Sequence, residues 1–123
     1  MKKMIVVFGI LLCQGVFAMD HGHMLMDDTG MIMNANADRL PNDCKVISET
    51  VTMTIHAGHE YAVKFPGKIF AFDHQQWNVK PCAKIIIHFI NDDAIRHQLM
   101  IHGLPGYLYP DGMFHLELYG KGE

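Results

Sequence analysis

The chain has 123 residues, half of them hydrophobic, a formal net charge of −3, nine histidines, ten methionines and three cysteines. An acidic balance argues against a nucleic-acid binder, which needs a basic face, and the length allows one small domain with a single core. No Gly-rich phosphate loop, Gly-x-Ser-x-Gly elbow or His-Glu-x-x-His motif is present. With no catalytic nucleophile or acid–base pair either, the sequence predicts no enzyme.

The first element is a signal peptide over residues 1–18. Lys2 and Lys3 form a short cationic start, residues 4–17 are almost wholly apolar, and Val16 and Ala18 place small residues where a signal peptidase reads. The apolar run is shorter than a membrane span needs, so an exported, cleaved protein with no membrane attachment is expected. Leu12 stands before Cys13 where a lipidation signal needs a small residue, which argues against a lipid anchor. Cleavage after Ala18 leaves 105 residues carrying eight basic and 13 acidic side chains, net −5. The compartment expected is the bacterial periplasm.

The new N-terminus reads Met19-Asp20-His21-Gly22-His23-Met24-Leu25-Met26. An α-amino group, two backbone amides and the His21 imidazole can place four nitrogens around Cu(II), and thioethers suit Cu(I). His21, His23, Met24 and Met26 are therefore candidate copper ligands, with Met31 and Met33 lengthening the run. Histidine and methionine also occur in exposed tails without function. Residues 19–43 show no steady period and are expected to form a flexible Met/His-rich lead-in.

From residue 44 onward the period is two. Residues 50–55 and 114–119 alternate cleanly, and short runs at 60–65, 68–72, 76–79, 83–90 and 97–101 are rich in β-branched or aromatic residues. Residues 83–90 are apolar on both faces apart from Lys84 and His88, which predicts a central strand. Turn chemistry separates the runs at Ala57-Gly58, Pro66-Gly67, Lys80-Pro81, Asn91-Asp92-Asp93 and Pro110-Asp111-Gly112. The expectation is an all-β domain over 44–123, an antiparallel sandwich or barrel.

Cys44 and Cys82 survive processing, and an even pair in an oxidising compartment reads first as a disulfide. The rival reading makes one a copper thiolate. Cys82 and His88 lie six residues apart on one predicted strand, about 20 Å, and cannot share a metal. Cys44 has no histidine before His56.

His97 opens a strand six residues after Asn91 and shares parity with Leu99 and Ile101, so it points between the sheets at their rim. His102, near the following turn, has opposite parity. His56, His59, His74, His88 and His115 are expected to be solvated or locally hydrogen-bonded, and Met100 and Met113 to be core filler.

A strand ending in Asn that leads to a histidine resembles the cupredoxins, the plastocyanin and azurin group. Phe65-Pro66-Gly67, Trp77-Asn78-Val79, Pro81-Cys82, Arg96-His97-Gln98, His102-Gly103-Leu104-Pro105 and Gly112-Met113-Phe114-His115 look like the exported bacterial cupredoxins of copper tolerance, relatives of nitrosocyanin. The resemblance spans about residues 40–123. It implies a Greek-key cupredoxin sandwich, copper as cofactor, His97 as a metal ligand, and a periplasmic redox or copper-handling protein as partner. The family completes its site from a C-terminal loop with a cysteine, a second histidine and often a methionine. This sequence has no such loop after Tyr119, so the resemblance implies a sandwich incomplete at its C-terminus. The functional expectation is copper sequestration or tolerance. The alternatives are one-electron transfer in a full-length form, or an exported interaction domain that binds no metal.

Overall fold

A computed structural model describes residues 24–36 and 39–123. The predicted signal peptide and the candidate ligands His21 and His23 lie outside them. The described chain is all-β, with seven strands in two sheets. The first sheet has the order β1–β2–β7–β6: Met24–Met26, Gly30–Met33, Phe114–Leu118 and His97–Ile101, every pair antiparallel. The second has the order β4–β3–β5: Ala71–Phe72, Thr50–Gly58 and Lys84–Asn91.

The clean alternation of Thr50, Thr52 and Thr54 with Val51, Met53 and Ile55 becomes β3, threonines outward and Ile55 and Ala57 buried. Phe89 on β5 joins them from the neighbouring strand. Leu99 of β6 with Leu116 and Leu118 of β7 supplies the facing half of the core, and Phe72, Trp77, Ile87 and Phe114 pack against it. Full burial of each such aliphatic or aromatic side chain stabilises by about 1.5–3 kcal/mol. The disulfide is formed between Cys44 and Cys82, Cα atoms 5.6 Å apart, tying the segment before β3 to the segment before β5.

Five expectations need correction, and the first is plain: the run at residues 76–79 forms no strand, and of the run at 68–72 only Ala71–Phe72 does. The sandwich is not wholly antiparallel, because β3 and β5 run parallel over eight residue pairs, from Thr50 with Lys84 to Ala57 with Asn91. The strand of residues 83–90 is not central. Among the described residues its only strand partner is β3, apart from a single bridge from Asn91 to Gly122, and Ile85 and Ile86 are 36% and 39% exposed. A continuous apolar run does not separate a central strand from a lateral one whose outer face is half covered.

Residues 60–65 are not a strand. His59–Lys64 is a 3₁₀ segment with Ala62 buried beneath it, and the Phe65 amide donates to the Ala62 carbonyl at 2.8 Å. Tyr61, Val63 and Phe65 alternate as strand formers would, but the His59 amide bonded to Asp93 and the Tyr61 hydroxyl bonded to Asp92 hold the segment in turns instead. Lastly, residues 24–33 of the expected flexible lead-in are built into the first sheet. Asp27 Oδ1 accepts hydrogen bonds from the Thr29 and Gly30 amides at 2.8 and 3.1 Å, closing the β1–β2 hairpin. A short carboxylate bonding its own backbone two and three residues on is a turn-former in its own right. Where β2 ends, buried Asn34 adopts a positive φ of 62°. Its side-chain amide donates to the Met113 and Pro110 carbonyls at 2.7 and 3.0 Å, locking the hairpin onto the chain before β7.

Candidate functional site

The chemistry-bearing side chains gather where β5 hands over to β6. Asn91, the last residue of β5, is the one fully buried large side chain among the described residues. A buried amide must be satisfied, and here each end has a partner. Its Nδ2 donates to the Ile95 carbonyl at 2.7 Å, and its Oδ1 accepts from the Asp93 amide at 2.8 Å. The backbone of Asn91 exchanges two further hydrogen bonds with Gly122. The loop from 92 to 96 is thereby folded back on itself, which presents Asp92 and Asp93 to the histidines around them.

Asp93 lies between two imidazoles. His59 Nδ1 is 2.7 Å from Oδ1, and His97 Nε2 is 2.7 Å from Oδ2. The His59 amide donates to Oδ2 at 3.1 Å as well. Burial pushes the Asp93 carboxyl up, but the hydrogen bonds from His59 and His97 outweigh it and hold the group below the usual carboxylate range. Phe70 stands edge-on to both rings, 4.6 Å from His59 and 5.1 Å from His97 between centroids. Asp92 is the centre of a second cluster. Its Oδ2 accepts from the Tyr61 hydroxyl at 2.6 Å and meets His56 Nδ1 at 2.7 Å. The Tyr61 bond first, then His56, lowers the Asp92 carboxyl, while burial and that same carboxylate push the Tyr61 phenol up.

His97 sits at the rim of the inter-sheet space, as its parity predicts, with its side chain 9% exposed. A carboxylate on one ring nitrogen fixes the tautomer and the aim of the other, the arrangement found behind metal-bound histidines. Nδ1 of His97 and Nε2 of His59 are the nitrogens left for a further partner. Even so, no group of three or more His, Cys, Asp or Glu side chains among the described residues is arranged to hold a metal ion. Cys44 and Cys82 are consumed in their disulfide. The donors among the described residues therefore do not fit a trigonal His₂Cys copper centre, which needs a thiolate.

Met24 and Met26 lie on β1, away from His97, so the structure does not gather the sequence-derived ligands at one point. His59, Asp93 and Phe70 were not singled out from sequence as site residues. The available signal was the acidic pair closing a turn just before His97, which reads equally well as ordinary turn chemistry. Two other histidines are locally partnered as expected: His74 contacts Asp73 at 3.0 Å and His88 contacts Glu123 at 2.9 Å. Met100, expected in the core, is 41% exposed on the outer side of β6. Comparison with protein-family models, with curated proteins and with solved structures returned no match.

Proposed function

We propose that this is an exported, periplasmic copper-binding protein of cupredoxin-like Greek-key fold that sequesters copper and serves copper tolerance. The observation that carries the reading is His97. Its imidazole is nearly buried at the sheet rim and steered by Asp93, at the position where the family resemblance calls for a copper ligand. The all-β two-sheet architecture and the Cys44–Cys82 disulfide agree with an exported sandwich. The Met/His tract at His21–Met26 adds donors for both oxidation states of copper. His97 binds and orients, Asp93 sets its tautomer, and Phe70 packs edge-on against the His97 ring.

One-electron transfer of the blue-copper kind needs a thiolate ligand; Cys44 and Cys82 are joined in the disulfide, so that reading belongs to a full-length form that supplies another cysteine. A metal-free interaction domain draws support from an open groove between the sheets, lined in part by Leu25, Ile32, Ile87, Phe89 and Leu116. Titration of the exported protein with Cu(II), followed by NMR and visible absorption, separates the readings. Substoichiometric Cu(II) is expected to broaden the His97 ring signals and those of His21 and His23, with only a weak d–d band. An intense sulfur-to-copper band would restore a thiolate ligand. Absence of broadening at any histidine would leave the interaction domain standing and remove copper.

A further inference from the structure

The register of the first sheet brings together residues far apart in sequence. Met24 pairs with Met33, Met33 with His115, and His115 with Met100. Directly paired residues point to the same face, with β-carbons about 4.5–5.5 Å apart, so these four form one row across all four strands. The next row on that face is Met26, Met31, Glu117 and Gln98. The opposite face of β6 and β7 carries the core residues Leu99, Leu116 and Leu118. Five of the ten methionines thus stand on the outer face. Core filling does not explain them there.

His115 occupies the centre of the first row, between Met33 and Met100. Its side chain is 12% exposed, and its Nε2 is buried without a hydrogen-bond partner. The nearest acidic atom, Glu117 Oε2, lies 3.5 Å away without bonding it, and Glu117 Oε1 is engaged by Arg96 at 3.3 Å. A buried ring nitrogen without a partner is costly, and a metal ion would satisfy it. Thioether side chains have three rotatable bonds and adapt their sulfur position readily, and together with imidazole they are soft donors suited to Cu(I).

We propose that the outer face of this sheet is a soft-metal site, in which His115 with Met33 and Met100, and Met24 next in the row, ligates Cu(I) or its redox-inert counterpart Ag(I). The site is separate from His97, whose side chain points to the inner face. Only its physiological cargo, copper, rests on the function proposed above. Because donor exchange along the row needs no change of backbone, the sheet can load a monovalent ion without unfolding.

The test is titration of the full exported chain, methyl-labelled at methionine, with Ag(I). The ε-methyl signals of Met33, Met100 and Met24 and the ring signals of His115 are expected to move together up to one equivalent. The volume-conserving variant Met33→Leu/Met100→Leu should weaken that binding by at least about tenfold, while His74→Gln, at an exposed histidine outside both sites, leaves it unchanged. Ag(I) shifts confined to His21, His23 or His97, with the four row residues unmoved, would overturn this site and leave copper binding in place. If the double variant binds Ag(I) as tightly as the wild type, the site is likewise refuted. Failure of Cu(II) to broaden His97 bears on the other proposal alone.

Discussion

At the scale of single residues, Asp92 and Asp93 show how one turn serves two clusters. Both carboxyls are held below their ordinary range, so each stabilises the folded state above an unfolded pKa near 4 and loses that contribution as pH falls through its lower folded value. For Asp92 the largest cause is the Tyr61 hydroxyl. Tyr61→Phe should cost about 1–2 kcal/mol at neutral pH, the worth of a hydrogen bond to a charged acceptor at a partly covered site. It should also move the Asp92 carboxyl titration upward, and the stability gap between variant and wild type should close below about pH 4. Carbon-detected NMR titration and urea denaturation measure the two effects, and an unmoved Asp92 titration would show that His56 alone sets it. His97 was legible in the sequence because parity with Leu99 and Ile101 is a local property. Its partners Asp93, His59 and Phe70 were not, since their meeting depends on a turn, a 3₁₀ segment and a loop whose mutual placement no local pattern encodes.

Among the elements, the β1–β2 hairpin is where the sequence could have been read further. Met24-Leu25-Met26 and Met31-Ile32-Met33 are matching apolar runs around Asp27-Asp28-Thr29-Gly30, yet each is only three residues with no apolar–polar alternation, too little to stand out in a lead-in rich in methionine. Gly30 makes the docking of this hairpin possible. A β-carbon built there would run into the backbone carbonyl of Glu117 on β7. A backbone atom cannot swing aside as a side chain does, so Gly30→Ala should force β2 and β7 apart. The expected loss is about 1–3 kcal/mol, as for overpacking elsewhere. Urea midpoints followed by Trp77 fluorescence check it, and a midpoint equal to wild type would mean that β2 contributes little to the folded domain. Strands β6 and β7, by contrast, follow the predicted runs closely, whereas β3 runs on through the expected Ala57-Gly58 turn as far as Gly58.

For the whole molecule, the all-β class and the disulfide were legible because alternation and an even cysteine pair beyond residue 18 are global properties of the sequence. The parallel pairing of β3 with β5 was not, because side-chain period is the same in either strand direction. Removing the disulfide in Cys44→Ser/Cys82→Ser should cost about 4 kcal/mol by the chain-entropy argument for a 38-residue separation. Denaturation of the variant beside the oxidised wild type checks that figure. The bridge has a kinetic side too. Thr50 and Lys84 open the parallel pair 34 residues apart along the chain, but they lie only six and two residues beyond Cys44 and Cys82. With the bridge intact a distant encounter becomes a neighbourly one, and the closure cost before the first β3–β5 contact falls by roughly 1 kcal/mol. Oxidised protein should then refold from urea several-fold faster than protein whose thiols are reduced and alkylated, with Trp77 fluorescence as the clock. Equal rates would place the meeting of β3 and β5 after the rate-limiting barrier, whereas a faster oxidised chain makes oxidation a timing device, with the bridge formed before the sheet it prepares.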